Sequence, residues 1–491
     1  MAFKTDWSFL AKISMGAVGT EAVIDSLNEM GHQVIELERY CTSNKIWATK
    51  IKRLRIPDLL CLHCGRRIES RAKSKLGIIM SDSENNAERR WFCGLRDNDW
   101  VAFIQCYRDA QNRWAASESI NLFSIGSMKA TEASTHLGPP KSVFEGAERD
   151  RKWECYVPGG DGNGVISSIE DCQHNEKRIC MQNPDGRRQS KKVSADHFIY
   201  VHEGDTFIKG ASILSGIVPP LLDNGCSAEQ YDFLPDLESE EKETVYTAVK
   251  ALGYLPHNDR AIAALHDICE NDQIDNRIRL EAYASLLRLN ENVWEEMYTF
   301  AFSLDSVELK TEYVLILGEI TTDTAAEYLF RVIQNEENDE ELRAAAIWSL
   351  HPTCETLSRV FPYCFRPEQI IADHAIAKVK RHFCHELTAT VLDAFCDDPS
   401  QNAICAYLLS TSDDVSREMV VNYYVSSDGI KKEWILFSIG LMPEEYYSEL
   451  IDQIVPNATE TKEKLELLWR CQPDYLKSTE IDRISFLEMQ K

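Results

Sequence analysis

The sequence predicts a multidomain α+β protein: an α/β N-terminal part, a small β-barrel in the middle and an all-helical solenoid at the C-terminus. Three observations carry this. The chain has 491 residues, more than one hydrophobic core holds, so several domains are expected. Apolar periodicity is mixed before about residue 240 and helical after it. Charge divides the same way: residues 1–200 carry 29 Lys+Arg against 26 Asp+Glu, a net +3, whereas the remainder carries 24 against 53, a net −29. The expected boundaries are 1–115 for the α/β domain, 116–150 for a connector, 151–220 for the β-domain, 221–240 for an acidic linker and 241–491 for the helices.

In the first domain, Val18, Val23, Ile24, Leu27 and Met30 recur at helical spacing and Gly31 ends the run, predicting a helix over 17–30. A strand over His32–Glu38 follows. Asp58–Cys64 and Arg66–Lys75 read as two extended runs around a Cys64-Gly65 turn, with strand continuing over 76–80. Residues 81–98 are polar and loop-like, and Trp100–Tyr107 is a further strand. Between 151 and 215, turn signals at Gly159-Gly160-Asp161-Gly162, Asn183-Pro184-Asp185-Gly186 and Glu203-Gly204-Asp205 separate short strands, which suggests a small SH3-like barrel. Gly159–Gly164 lacks the lysine and helix of a phosphate loop and is read as a turn. Pro219-Pro220 and the acidic run Asp236–Glu243 mark the linker. Trp91, Trp100 and Trp114 are expected to pack in cores rather than stack on bases.

The helical half contains an internal near-repeat. Arg279–Leu286 (RLEAYASL) returns as Arg343–Leu350 (RAAAIWSL), and a weaker copy starts at Lys310 and ends in Leu317-Gly318. Steps of 31 and 33 residues are the length of one helix pair. The pattern resembles HEAT-type repeats, which implies paired helices stacked into a protein-binding scaffold. Helical periodicity continues to about residue 473.

No run approaches the roughly 20 apolar residues of a membrane span. Met1–Asp6 lacks the basic-then-apolar pattern of a secretion signal. The cytoplasm is therefore the expected compartment, and the 16 scattered cysteines are expected as reduced thiols. Residues 51–75 are locally basic, with Lys52, Arg53, Arg55, Arg66, Arg67, Arg71, Lys73 and Lys75 against Asp58 and Glu69, so a nucleic acid can approach there.

The candidate chemistry lies in the same stretch. Asp58 opens one strand and Glu69 sits in the next, across a tight turn. Period two sends Glu69, Arg71 and Lys73 to one face. Paired carboxylates beside cations are a seat for a divalent metal bridging to phosphate. Here the sequence resembles the PD-(D/E)XK nuclease superfamily. Pro57-Asp58 matches the first half of its signature and Glu69-Ser70-Arg71 the second, with Arg71 where lysine is usual. Over about residues 15–110 the resemblance implies a restriction-endonuclease-like core, with Asp58 and Glu69 as ligands to Mg²⁺ or Mn²⁺. It further implies Glu21 of the preceding helix as an accessory acid, Lys73 as the displaced lysine and DNA as substrate. A nuclease joined to a scaffold resembles prokaryotic genome-defence effectors. Arginine stays charged and carries protons poorly, so Arg71 leaves a second expectation open: a non-catalytic adaptor with a degenerate nuclease-like domain.

Cys61-Leu62-His63-Cys64 has the spacing at which two thiolates share a Zn²⁺, but a structural site takes four ligands. No second CxxC lies downstream, and Cys41, His63, Cys93 and Cys106 are the candidates to complete it. Along a strand, 61 and 63 share one face while 62 and 64 share the other, so alternating packing is expected and zinc is not. Asn457-Ala458-Thr459 is a glycosylation sequon without meaning in a cytoplasmic protein.

Overall fold

The computed structural model describes residues 7–37, 54–110, 112–135, 149–221, 223–411 and 414–442. Two compact units divide between Phe300 and Ala301, the first comprising residues 11–42 and 52–300. The later part of the expected helical periodicity and the Asn457 sequon fall outside the described residues, as do Cys41, Lys52 and Arg53.

The first unit is built on helix α1 (Trp7–Glu29) and a mixed five-stranded sheet. Its strands are β1 (Val34–Glu36), β2 (Leu59–Cys61), β3 (Arg67–Lys73), β5 (Trp100–Arg108) and β6 (Trp114–Ser124), adjacent in that order. β1, β2 and β3 form an antiparallel meander, β5 runs parallel to β3, and β6 returns antiparallel. α1 covers one face. Val23 and Leu27 pack with Leu59, Ile68, Trp100, Ala102, Ile104 and Cys106. Gly19 allows the close approach, because a Cβ there would stand 2.5 Å from the Ala72 Cβ.

The connection from β3 to β5 holds β4 (Ile78–Asp82) and a short 3-10 turn (Ala87–Arg89) where a parallel crossover usually holds an α-helix. Ile78, Met80, Trp91 and Leu95 from this crossover fill the second face against Val101, Phe103 and Phe123. β4 is not a continuation of β3, as read from sequence. It pairs with β8 (Arg149–Trp153), which also pairs with β7 (Ser134–Thr135). The expected connector, 116–150, instead contains most of β6 and helix α2 (Ile125–Ala130). β6 is an edge strand, half-buried and rich in serine and alanine, so it lacks the β-branched signature of a central strand.

β9 (Cys155–Tyr156), β10 (Asn163–Asp171), β11 (Lys177–Gln182), β12 (Arg188–Val193), β13 (Phe198–Ile199), β14 (Thr206–Ile208) and β15 (Ser215–Gly216) form two sheets. The orders are β12-β11-β10-β14 and β13-β15-β9. Ile166, Ile179, Met181, Val193, Phe207 and Leu214 form the core. Among the described residues these strands do not close into a barrel, so the expected SH3-like barrel is not what the ladders make. Asn121 of β6 bonds the backbone of Ala211 and Ile213, which ties this region to the main sheet. The segment expected as a linker is also packed: Phe233 is 2% exposed, and Gln230 and Tyr231 bond the carbonyls of Leu62 and His63.

Helices α3 (Lys242–Leu252), α4 (Asp259–Glu270) and α5 (Asn276–Arg288) complete the first unit, with α5 packed on both others. Buried Lys250 donates to the Leu37 carbonyl, 3.2 Å away. After α6 (Trp294–Ser303), the second unit continues as α7 (Val307–Ile320), α8 (Asp323–Gln334), α9 (Glu340–Ser349), α10 (Cys354–Val360), α11 (Gln369–Arg381), α12 (Glu386–Asp393), α13 (Pro399–Leu409), α14 (Asp414–Ser426) and α15 (Gly429–Gly440). Alternate helices α7, α9, α11, α13 and α15 contact in sequence.

The repeated sequence has a repeated physical role. Asp275 and Asp339 are N-caps, accepting from the backbones of Arg277 and Glu341. Arg279 and Arg343 then reach back ten residues to the carbonyls of Cys269 and Ile333, at 2.8 and 2.9 Å. Each thereby satisfies a carbonyl in the last turn of the helix before.

Arg343 is 3% exposed and also meets Glu368 at 3.3 Å. Arg343→Ala is expected to cost about 2–3 kcal/mol, since it strands buried acceptors; chemical denaturation followed by circular dichroism measures it, and no shift would refute the role. Hydrogen bonds from Arg277 hold the Asp275 carboxyl well below its ordinary range despite partial burial. Its stabilising effect is therefore present above the ordinary aspartate pKa of about 3.9 and lost as pH falls through the lower folded value. Asp275→Asn is expected to melt below the wild type at pH 7, with the gap closing as acid is added; a gap independent of pH would count against it.

Candidate active site

Asp58 follows buried Pro57 and stands one residue ahead of β2. Its carbonyl accepts from Leu37, and its Oδ2 accepts from the Ser70 backbone N–H at 2.8 Å. The register pairs Leu59 with Ile68 and Leu60 with Arg67. Continued by one residue, it sets Asp58 opposite Glu69.

Strand β3 sorts its side chains by parity. Ile68, Ser70 and Ala72 turn toward α1, where Thr20 Oγ1 donates to Ser70 Oγ at 3.1 Å. Glu69, Arg71 and Lys73 turn the other way, in register with Val101, Phe103 and Gln105. Glu69 is 8% exposed, and its Oε1 lies 2.5 Å from the Arg71 guanidinium. The Arg71 side chain is 41% exposed, and Lys73 is half-buried. Glu69 and the two cations thus share one face, as their spacing predicts.

Glu21 is exposed on α1, which covers the opposite face. Asp58, Glu69 and Glu21 do not form a group of three whose carboxylate oxygens all lie within 4.8 Å of one another.

The basic stretch is less available than its composition suggests. Arg67 is buried, forks onto Asp99 at 3.0 and 2.5 Å, and bonds the Gly94 carbonyl. Arg66 stacks on Trp100, 4.8 Å from the ring centre. Arg55 and Lys75 are exposed. Trp91 and Trp100 are core residues, and Trp114 lies half-buried beneath Arg108.

At the turn of the same hairpin the structure assembles a group that was not expected. His32, Cys61, Cys64 and Cys226 place one Nδ1/Nε2 or Sγ atom each within 4.8 Å of all the others. A hydrogen bond from Cys64, and one from His32, lower the pKa of the Cys61 thiol, and the same Cys61–Cys64 bond raises that of the Cys64 thiol. Of the candidates to complete CxxC, His63, Cys93 and Cys106 are not in this group. His32 and Cys226 were missed because they are remote in sequence. The available signal was Cys226 itself: Asn224-Gly225-Cys226-Ser227 has no apolar run around it, so that cysteine is not explained as a small hydrophobe.

No protein-family model matches the chain, and no curated protein matches it in sequence.

Proposed function

We propose that the first unit hydrolyses nucleic-acid phosphodiester bonds, most readily DNA, with a divalent cation held by Asp58 and Glu69, and that the helical region binds a protein partner. The observation that carries this is that the Asp58 carboxylate bonds the Ser70 backbone, one residue from Glu69, with Glu69, Arg71 and Lys73 on one face of β3. A helix, a three-stranded meander and a fourth strand parallel to β3 also agree with a PD-(D/E)XK-like core.

The donor set fits Mg²⁺ or Mn²⁺: two hard carboxylates with no thiol or imidazole in the pair, leaving water and phosphate oxygens to complete the shell. When bound, such a cation polarises a phosphoryl oxygen and lowers the pKa of a water. The chain's own residues do the rest. Ser70 N–H fixes the Asp58 carboxylate. Lys73 positions the attacking water and stabilises charge on the phosphate. Arg71, which pairs with Glu69 in the absence of substrate, has solvent into which to swing and a fork suited to phosphate. Exposed Arg55 and Lys75 attract the nucleic-acid backbone. The stacking of alternate helices agrees with HEAT-like repeats, and their acidity steers nucleic acid away and suits a basic protein surface. No helix among the described residues is long and apolar enough to cross a membrane.

One observation favours a second reading. The Glu69–Arg71 ion pair already neutralises the buried carboxylate. If it persists, the domain is a non-catalytic docking module and the chain an adaptor.

Calorimetric titration of Mn²⁺ into the wild type and into Asp58→Asn/Glu69→Gln, with plasmid and single-stranded DNA cleavage in parallel, separates the two. Binding and cleavage in the wild type, both lost in the folded double variant, are expected. A wild type that neither binds Mn²⁺ nor cuts would leave the adaptor. Within the nuclease reading, Lys73→Ala is expected to lower the cleavage rate roughly 10²- to 10³-fold, the effect of removing one transition-state donor, with Mn²⁺ affinity unchanged. Equal rates for Lys73→Ala and wild type would remove Lys73 from the mechanism.

A further inference from the structure

We infer that His32, Cys61, Cys64 and Cys226 form a structural Zn²⁺ site of the Cys₃His type, which clamps the β2–β3 turn to the entry of β1 and to residues 224–231. The inference is independent of the nuclease reading.

Geometry is the first argument. A tetrahedral Zn²⁺ with bonds of about 2.3 Å to sulfur and about 2.0–2.1 Å to nitrogen has S···S edges of about 3.8 Å and S···N edges of about 3.5 Å. Cys61 Sγ and Cys226 Sγ are 3.8 Å apart, and Cys64 Sγ and His32 Nδ1 are 3.6 Å apart. The other four edges are all within 4.8 Å, so the four donor atoms gather about one point. Three sulfurs and an imidazole are a soft donor set that selects Zn²⁺ over Mg²⁺ or Ca²⁺. With four protein ligands the shell is closed, so the site is structural rather than catalytic.

The surroundings prepare His32 and Cys61 in particular. His32 Nε2 is 3.0 Å from the Asn224 carbonyl, a bond in which the ring N–H donates. That fixes the tautomer with Nδ1 as the lone-pair nitrogen facing the sulfurs, the usual outer-shell arrangement of a metal-bound histidine. Cys61 Sγ accepts the Gln33 backbone N–H at 3.4 Å. Such a bond stabilises thiolate charge. Cys64 is followed by Gly65 at φ +69°, where the Tyr231 ring lies so close that a Cβ would stand 2.6 Å from it. The loop carrying Cys226 is therefore seated on the turn carrying Cys61 and Cys64. A second group, Cys354, Cys384 and Glu386, has only three donors among the described residues, and its carboxylate is exposed; it serves as the internal control.

The test is zinc content of the full-length chain purified under reducing conditions without chelator, together with the absorption spectrum after Co²⁺ exchange. One zinc per chain is expected, with thiolate-to-Co²⁺ charge transfer and intense tetrahedral ligand-field bands. Cys226→Ser and His32→Ala should lose the metal, His32→Cys should retain it, and Cys93→Ser and Cys354→Ser should change nothing. Chelation should lower the melting temperature of the wild type. The assignment is overturned by a folded wild type that holds no zinc and takes up no Co²⁺. It is equally overturned by zinc that survives Cys226→Ser or vanishes with Cys354→Ser, or by a Cys61–Cys226 disulfide found on peptide mapping of the unreduced chain. The wild-type stoichiometry and spectrum keep the test decisive if a variant fails to fold.

Discussion

Strand β3 must serve two faces at once, and most of the first unit follows from how it does so. Its even-numbered residues, Ile68, Ser70 and Ala72, are small or apolar and receive α1. Its odd-numbered residues, Arg67, Glu69, Arg71 and Lys73, are charged, yet Arg67 and Glu69 are buried. Buried charge is tolerable only when paired. Asp99 satisfies Arg67, and Arg71 satisfies Glu69. A strand buried at one end on both faces would ordinarily be apolar throughout. This one places charge on the face away from α1, which marks that face as the place to look for chemistry.

The hairpin and the shared face of Glu69, Arg71 and Lys73 were legible because both rest on local rules: a Cys64-Gly65 turn and strict alternation. So was the helical repeat, whose recurring arginine proves to be a recurring cap on a preceding helix. What could not be read is what depends on tertiary pairing. α1 starts ten residues before its expected N-terminus, because Trp7–Gly16 carries no sharp amphipathic signal. β12 is made of Arg188-Gln189-Ser190-Lys191-Lys192-Val193, a polar edge strand whose partner β11 decides its conformation. The acidic segment before α3 resembles a linker in composition, but Tyr231 and Phe233 anchor it. Alternation along the strand argued against the CxxC pair as ligands. The chain leaves strand geometry after Cys61 and turns, so the alternation does not extend to Cys64.

The thiol–imidazole cluster and the carboxylate pair occupy the two ends of one short hairpin, and this links them energetically. β2 is three residues long and its ladder with β3 is short. A slip of one residue would turn Glu69 toward α1 and Ile68 toward the crossover. Cys61 and Cys64 hold the turn end, and a metal between them, His32 and Cys226 fixes the turn against β1 and against a segment more than 150 residues away in sequence. With the turn fixed, the register at Asp58 and Glu69 follows by counting. A small mixed sheet without a crossover helix has few other means of holding that register. The thiol–imidazole cluster thus bears on the placement of the two carboxylates proposed above as a cation seat, without sharing a residue with them.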